Sequence, residues 1–245
     1  MTEPTEPQDH VLKPGAVDIN SLKVTPIDLS PIYNKPKRTI KKTVKKFLKG
    51  SEEQNGPLAF VVDNVCTLEE CNALIQLSEN DPNSAYEDAL VNVGGKQALN
   101  QGVRNNLRYI RDDFVISSEI FNRISHLLPQ TWNEESFPLS CLNERLRFLK
   151  YKPGQRFKVH HDVHYRRNDH SETSFVTLQL YLNEGFKGGE TTFVEKGYED
   201  DVRIPVVPKT GRVLIFEHRL CHEGSELTEG VKYVIRTDVM YKTDF

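Results

Sequence analysis

Seven short runs of strand-forming residues fill the second half of the chain and constrain its fold more than any other feature. They are rich in Val, Ile, Tyr, Phe and Thr, and most of them alternate apolar with polar residues. Turn residues separate them, such as Pro153-Gly154, Gly188-Gly189, Thr210-Gly211 and Glu229-Gly230. The runs occupy residues 145–151, 157–162, 175–182, 191–194, 203–207, 212–217 and 231–241. Because such short connections join antiparallel neighbours, the sequence from Glu144 onward predicts a mainly β fold, an antiparallel sandwich or jelly roll with helical support.

The helical support is expected from the residues that precede this β region. Residues 58–62 are apolar and predict a short buried strand. Thr67 stands three residues before Glu70 at the start of an amphipathic stretch, which predicts a helix over 67–77 with a capping box. A second amphipathic helix is predicted to begin at Ser117 as its N-cap. The chain therefore places its flanking helices N-terminal to the strands.

The first residues of the chain have a different character. Residues 1–36 contain six of the thirteen prolines and show no sustained periodicity. Such a segment buries too little apolar surface to offset the entropy lost on ordering. We therefore expect a disordered or loosely packed Pro-rich arm, and we expect its removal to leave the stability nearly unchanged.

A basic segment follows the arm. Residues 35–50 include eight basic residues and no acidic one, and their apolar residues recur at the spacing of one helical face. This pattern predicts a helix that docks on the main domain, a nuclear-import signal, or a patch for an anionic partner. The chain is accordingly divided into the arm 1–36, a support region 37–143 that begins with the basic helix, and a catalytic core 144–245. Residues 58–143 are expected to form one structural domain with that core.

Composition limits the class of protein. The chain has 32 Lys and Arg against 35 Asp and Glu, so its formal net charge is −3. This near-balance argues against nucleic-acid binding through overall charge and leaves only the basic segment 35–49 for such a contact. No apolar run approaches the roughly 18–20 residues of a membrane span, and the N-terminus lacks the pattern of a secretory signal. The four cysteines form no CxxC pair, which predicts reduced thiols in a cytoplasmic or nuclear protein that is not secreted.

One histidine–carboxylate pair is the main candidate for chemistry. His160 and Asp162 are separated by one residue, which places both side chains on the same side of an extended strand. A nitrogen from His222, in a later strand, would complete two histidines and one carboxylate on one face of a metal, the set that suits non-haem Fe(II) oxygenases. An HxD triplet by itself is a weak signal, because most such triplets are incidental surface residues.

Two later strands carry a polar face. Thr177, Gln179 and Tyr181 alternate with apolar residues in the third run, and Lys232 and Arg236 do so in the last. These faces either meet solvent, as in a half-exposed sheet, or line a polar pocket that suits a small dianion inside a barrel.

Three motifs in this region resemble the prolyl 4-hydroxylase-like branch of the Fe(II)/2-oxoglutarate-dependent dioxygenase superfamily. YKPGQRFKVHHD (151–162) resembles the family's Tyr-x-x-Gly-Gln-x-aromatic-x-x-His-x-Asp segment. TLQLYLNEGFKGGETTF (177–193) resembles its Tyr-Leu-Asn…Gly-Gly-Glu-Thr-x-Phe segment, and HEGSELTEGVKY (222–233) its His-x-Gly…Gly-x-Lys-aromatic segment. The motifs have the family's order and spacing. The resemblance implies a double-stranded β-helix, the jelly roll already expected.

The resemblance also implies the metal site. It assigns the iron ligands to His160, Asp162 and His222, with no catalytic residue beyond the metal site. His161 and His164 are then bystanders.

For the cosubstrate, 2-oxoglutarate, the resemblance points to Lys232. This residue occupies the position of the family's Lys, which pairs with the distal carboxylate of 2-oxoglutarate. Tyr151, Thr177 and Tyr181 occupy positions that line the same pocket in related enzymes. Because many dioxygenases use Arg for this purpose, Arg236 is an alternative cosubstrate ligand, or it holds a substrate carboxylate. We prefer Lys232.

The implied reaction uses Fe(II), O2 and 2-oxoglutarate, with ascorbate as reductant, to hydroxylate an unactivated C–H bond with release of succinate and CO2. A prolyl residue in a peptide or protein is the default substrate. A free amino acid or other small metabolite is the alternative, and a catalytically inactive jelly-roll binding module is an alternative of another class. Arg104, Asn106 and Arg108 are predicted to line the entrance and recognise a substrate carboxylate or peptide carbonyl, unless this string is an ordinary strand with solvated arginines.

Overall fold

Two α-helices and eighteen strands make up the part of the chain that the computed structural model describes, namely residues 11–32, 57–82, 85–132, 137–195 and 202–243. Helix α1 is Leu68–Glu79 and helix α2 is Phe114–Ile124, and single 3-10 turns occur at Ile19–Ser21 and Ser125–Leu127. The strands are β1 (Lys23–Pro26), β2 (Ala59–Asp63), β3 (Glu87–Asp88), β4 (Val91–Val93), β5 (Lys96–Ala98), β6 (Leu107–Asp112), β7 (Thr131–Trp132), β8 (Phe137–Leu142), β9 (Arg145–Tyr151), β10 (Phe157–His160), β11 (Glu172–Tyr181), β12 (Lys187–Gly188), β13 (Thr191–Val194), β14 (Arg203–Val206), β15 (Val213–Glu217), β16 (His222–Gly224), β17 (Leu227–Glu229) and β18 (Lys232–Lys242).

Two antiparallel sheets form the core architecture. The larger one runs in the order β1-β2-β15-β11-β18-β9-β6-β3, with β8 also pairing with β18 and β7 with β8. The smaller one runs β10-β16-β13-β14. From β9 to β18 the chain passes repeatedly from one sheet to the other, which is the connectivity of a jelly roll. Each of the seven runs predicted from the sequence overlaps one of these strands, so the predicted mainly β double-stranded β-helix is confirmed.

The alternation along β11 decides which side chains enter the core. Val176, Leu178 and Leu180 belong to the apolar cluster between the large sheet and the helices, together with Leu74 of α1 and Ile120 of α2. Successive side chains of a strand point to opposite faces. The polar alternates of β11 therefore face the small sheet, so this polar face lies inside the barrel and not toward solvent.

The two helices begin at side-chain caps. The predicted capping box of α1 is confirmed: Thr67 Oγ1 accepts from the Glu70 amide (3.2 Å), and Glu70 Oε2 accepts from the Thr67 amide (3.0 Å). The predicted start of α2 at Ser117 is wrong, because the helix begins at Phe114. Its cap is Asp113, whose Oδ1 accepts from two amides of the first turn (3.0 and 3.1 Å). Within the described residues, neither helix is long and apolar enough to cross a membrane.

Residues 11–32 correct the prediction of a loosely packed arm. Strand β1 pairs with β2 along the edge of the large sheet. Leu12, Leu29 and Ile32 are buried. The strand pairing satisfies backbone groups, and these three side chains bury apolar area, so the segment offsets its ordering entropy despite its prolines. The rest of the arm and the basic segment at 35–50 lie outside the described residues.

Candidate active site

A polar cavity of about 410 Å³ opens between the two sheets. Strands β9 and β18 of the large sheet and β10 and β16 of the small sheet contribute to its lining, as does the hairpin formed by β4 and β5. Four histidines and five basic residues are among the lining side chains. The polar strand faces therefore line an internal pocket.

Three of the lining residues converge as a possible metal centre. His160 ends β10, Asp162 follows two residues later, and His222 begins β16 directly opposite His160 in the antiparallel register. One potential ligand atom from each residue lies within 4.8 Å of the others. We call His160, Asp162 and His222 the metal cluster. Among the described residues this is the only such cluster of His, Cys, Asp and Glu side chains.

Backbone carbonyls orient both imidazoles. Nδ1 of His160 lies 2.8 Å from the Lys158 carbonyl oxygen, and Nδ1 of His222 lies 2.9 Å from that of Leu220. A carbonyl only accepts, so each Nδ1 carries the proton and each Nε2 keeps a free lone pair. Burial lowers the pKa of His160 to about 3 and also lowers the pKa of His222. Both imidazoles are therefore neutral, the form that binds metal ions.

The carboxylate of the cluster is held ionised. Thr177 Oγ1 donates to Asp162 Oδ2 (2.5 Å), and Arg236 Nη2 lies 3.1 Å from Asp162 Oδ1. Burial acts to raise the pKa of Asp162, but the charge of Arg236 and the nearby His222 and His160 hold this pKa well below its usual range. An ionised carboxylate beside two neutral imidazoles is a donor set for a divalent transition metal.

The two neighbouring histidines do not join the cluster. Nδ1 of His161 lies 2.8 Å from the Arg219 carbonyl oxygen, and Nδ1 of His164 lies 2.7 Å from that of Ser174. Both rings border the cavity without contributing to the group of converging atoms.

Lys232 is a buried cation on the wall of the same cavity. It is 2% exposed, and its Nζ donates to the Gly189 carbonyl oxygen (2.6 Å), the only hydrogen bond of this ammonium among the described residues. The rings of Tyr151 and Tyr181 lie 4.9 and 5.5 Å from Nζ. Burial lowers the pKa of Lys232 to about 7. A desolvated ammonium with one neutral acceptor has donors left for an anionic ligand.

Gly189 allows the chain to approach Lys232, where a Cβ would lie 3.3 Å from Lys232 Cδ, and Gly188 allows it to approach the backbone at Glu226. Gly188 and Gly189 each have φ of +73°, and a Cβ on Gly188 would lie 2.2 Å from the Glu226 carbonyl oxygen. Only glycine fits this backbone without strain.

Arg236 lines the cavity too, but the acids of the chain already engage it. Its Nη2 lies 3.1 Å from Asp162 Oδ1 and 3.0 Å from Asp238 Oδ1. Asp238 is shared with Arg147, whose Nη1 lies 3.2 Å from Oδ2. Since Lys232 forms no ion pair with a carboxylate of the described residues, the contacts favour Lys232 over Arg236 as the free cation of the site.

The structure separates the three residues that were predicted to line the pocket. Tyr151 lines the cavity, whereas Thr177 and Tyr181 do not. Thr177 is covered by Asp162, to which it donates. The Tyr181 hydroxyl donates to Thr191 Oγ1 (2.8 Å), so Thr191 of the small sheet covers it.

Several lining residues escaped the sequence analysis. Thr191 lines the cavity and donates to Gln179 Oε1 (2.8 Å), a contact between sheets that no local pattern reveals. Phe157 and Arg147 also line it. Arg147 stands four residues before Tyr151 and shares its face of β9, so the period of the strand was a usable signal.

The segment 104–108 borders the cavity. Arg104 and Arg108 line it, whereas Asn106, the third residue predicted there, lies behind them. Asn106 is fully buried and its Oδ1 accepts from Arg104 Nε (2.8 Å). Arg104 forms a β-bridge with Phe157, which attaches the segment to the edge of the small sheet.

Comparison with known proteins finds similarity to one family of oxygenases and to plant proteins named prolyl 4-hydroxylases. Residues 146–237 match the family model of the 2OG-Fe(II) oxygenase superfamily. The chain is 32% identical over 170 residues to "Probable prolyl 4-hydroxylase 11" of Arabidopsis thaliana, covering 65% of this chain and 56% of that protein. It is 30% identical over 208 residues to "Prolyl 4-hydroxylase 2" of the same plant, covering 72% and 65% respectively. The chain thus spans about half to two thirds of the length of these relatives.

Solved structures share the fold. A Pseudomonas putida prolyl-4-hydroxylase superposes with a TM-score of 0.55 at 16% identity, covering 80% of this chain and 96% of that one. A prolyl hydroxylase from Trichoplax adhaerens, solved with a hypoxia inducible factor oxygen degradation domain peptide fragment, superposes with a TM-score of 0.56 at 15% identity, covering 83% and 91%. At these identities the similarity establishes the architecture.

Proposed function

We propose that the protein is an Fe(II)- and 2-oxoglutarate-dependent dioxygenase of the prolyl 4-hydroxylase-like branch of the 2OG-Fe(II) oxygenase superfamily, whose family model matches residues 146–237. The proposed reaction hydroxylates an unactivated C–H bond of a prolyl residue in a peptide or protein, with release of succinate and CO2. One observation carries the proposal: His160, Asp162 and His222 converge in a cavity that also holds the buried Lys232.

The residues present fit an iron ion. Two neutral imidazoles and one carboxylate on one side leave the remaining coordination positions open for other ligands. The carbonyls of Lys158 and Leu220 hold both imidazoles with Nε2 unprotonated. When bound, Fe(II) would supply the redox chemistry that couples O2 and 2-oxoglutarate to C–H hydroxylation, with ascorbate as reductant.

The side chains around the metal cluster have separate tasks in this proposal. Lys232 binds the distal carboxylate of 2-oxoglutarate, and the ring of Tyr151 excludes water from that contact. Thr177 and Arg236 orient Asp162 through hydrogen bonds to its two oxygens. The contact between the Lys232 ammonium and the carboxylate is charge-assisted, and such a contact is strong where both groups are buried away from water.

The substrate is proposed from the relatives and from the cavity wall. The curated relatives are named prolyl 4-hydroxylases. In this chain Arg104 and Arg108 supply guanidinium donors beside the metal cluster, which suits the carbonyl or carboxylate groups of a peptide.

A turnover assay tests the proposal. Purified protein with Fe(II), ascorbate and 2-oxoglutarate is screened for succinate against a set of proline-containing peptides and a set of free amino acids. We expect substrate-dependent succinate, and one added oxygen on a prolyl residue by mass spectrometry, with peptides. Succinate with free amino acids only would assign a small-molecule hydroxylase. No 2-oxoglutarate binding and no succinate with either set would point to an inactive binding module. Asp162→Ala is the matched negative control because it removes a proposed ligand.

A further inference from the structure

Two arginines on one side of the cavity form no ion pair with a carboxylate of the described residues, although the charge of Glu87 acts on Arg108 from the neighbouring strand. Arg104 donates from Nε to Asn106 Oδ1 (2.8 Å) and from Nη1 to the Leu90 carbonyl oxygen (3.3 Å). Arg108 donates from Nη1 to Gln97 Oε1 (3.3 Å). All three acceptors are neutral. We call these two residues the Arg104–Arg108 wall.

The wall is anchored close to the metal cluster. The guanidinium carbon of Arg104 lies 4.4 Å from the centre of the Phe157 ring, and that ring stacks on His160 with 3.6 Å between centres. Only one aromatic ring therefore separates the Arg104 charge from a proposed iron ligand. Burial, together with the charges of Arg108 and Arg236, lowers the pKa of Arg104 to about 10, which leaves it charged at neutral pH.

The other two arginines of the cavity already have a carboxylate partner. Arg147 and Arg236 share Asp238 (3.2 and 3.0 Å). Of the acids that line the cavity, one belongs to the metal cluster and the other, Glu223, pairs with Arg203 (2.5 Å). The proposed function assigns the remaining cation to 2-oxoglutarate. Among the described residues, the cavity arginines that form no ion pair with a carboxylate are therefore those of the Arg104–Arg108 wall.

We propose that the Arg104–Arg108 wall is a carboxylate subsite, so that the substrate carries a negative charge next to the carbon that is hydroxylated. This inference rests on the proposed function, which it deepens. A guanidinium presents paired donors in a plane that match the two oxygens of a carboxylate. The carboxylate comes either from an Asp or Glu side chain beside the target proline or from the terminal α-carboxylate of a proline, and both sources offer the same chemistry.

Binding measurements separate these sources without turnover. The full chain is loaded with Mn(II) and 2-oxoglutarate and titrated calorimetrically with two pairs of peptides. The first pair is N-acetylated and C-amidated, with Glu or Gln beside an internal proline. The second pair ends in proline, with a free carboxylate or an amide. We expect the charged member of one pair to bind at least about tenfold more tightly than its neutral partner, since hydrogen bonds to charged groups are the strong ones. The pair that shows the preference identifies the source. Equal affinity within both pairs, or no binding by any peptide, overturns the proposal.

Variants that lack one arginine test whether the preference for the charged peptide comes from the Arg104–Arg108 wall. Arg108→Gln should reduce it to about threefold or less, because one of two guanidinium groups is lost. Arg104→Gln should do the same, and circular dichroism reports whether that variant still folds. Arg145→Gln is the matched control: its side chain is half exposed and pairs with Asp112 outside the cavity, so the preference should persist. An equal loss in Arg145→Gln and Arg108→Gln would overturn the assignment.

The same peptides in the succinate assay separate this inference from the proposed function. A charge preference in binding without succinate formation contradicts the dioxygenase assignment and leaves the subsite. Succinate formation without any charge preference contradicts the subsite and leaves the dioxygenase.

Discussion

At the scale of single residues, the Lys232 ammonium decides how the cavity receives an anion. Burial lowers its pKa to about 7, and a bound carboxylate would raise this pKa again. Above about pH 7 the free protein therefore carries a neutral amine, and 2-oxoglutarate binding must take up a proton. We expect the Kd for 2-oxoglutarate of the Mn(II)-loaded protein to be constant below pH 7 and to rise by up to about tenfold per pH unit above it, measured by calorimetry.

Lys232→Arg is the matched control for this pH dependence. A guanidinium stays charged, so the Kd of this variant should be the same at pH 7 and pH 9, even if it is higher than that of the parent protein at pH 7. Lys232→Ala should weaken binding by roughly 30-fold or more, the loss expected for one partner of a buried charge pair. A flat profile in the parent protein, with tight binding by Lys232→Ala, would transfer the role to Arg236.

His160 and His161 are adjacent residues with different environments. Mutating a residue that only contacts a metal ligand typically lowers metal affinity by roughly 10- to 100-fold. His160→Ala removes a proposed ligand itself, so it should weaken Mn(II) binding by more than this. His161→Ala should change it by less than about threefold, because its Nδ1 is bonded to the Arg219 carbonyl outside the cluster. Paramagnetic resonance of Mn(II) measures both. The opposite order would show that the ligand assignment is displaced by one residue.

At the scale of elements, strand β1 turns part of the arm into an edge of the large sheet. Deleting residues 1–34 should lower the free energy of unfolding by about 3–6 kcal/mol, because Leu12, Leu29 and Ile32 lose their burial and β2 loses its partner. Urea denaturation measures the change. Deleting residues 1–10 keeps all of these contacts and should change it by less than about 1 kcal/mol. Equal stability of the two truncated proteins would show that β1 adds nothing to the sheet.

At the scale of the whole molecule, buried or half-buried carboxylates are held ionised by arginines in several places. Burial acts to raise the pKa values of Asp63 and Glu70, but hydrogen bonds from Arg212 and Arg123 keep both below their usual range. A carboxyl with a lowered folded-state pKa stabilises the protein above its unfolded value of about 4, and this contribution is lost as the pH falls through the folded value. We therefore expect the free energy of unfolding to fall steadily from pH 5 to pH 2 in urea titrations.

Asp63→Asn checks this assignment. The variant lacks the charge at every pH, so it should be less stable than the parent protein at pH 6 and should approach the parent as the pH falls toward 2. A constant difference between the two proteins over this range would mean that Asp63 stabilises the fold by other means.

The sequence by itself predicted the mainly β architecture and the His160–Asp162 pair from local geometry, and the resemblance to the dioxygenase family predicted that His222 joins this pair. The direction of a side chain in a strand alternates with each residue, so the polar and apolar faces of β11 and β18 could be predicted without knowing their neighbours. The same period placed His160 and Asp162 on one side of the chain. A capping box is equally local, and that of α1 was predicted correctly.

Only the tertiary structure decided which inward-facing groups meet the cavity and which are covered. Thr191 of the small sheet covers Tyr181, and Asp162 covers Thr177, contacts that join segments from different strands. The same holds for the shared Asp238 and for the docking of residues 11–32 on β2. Alternation fixes the side of a sheet on which a residue lies. What lies opposite depends on how distant segments pack, and no pattern within one segment contains that information.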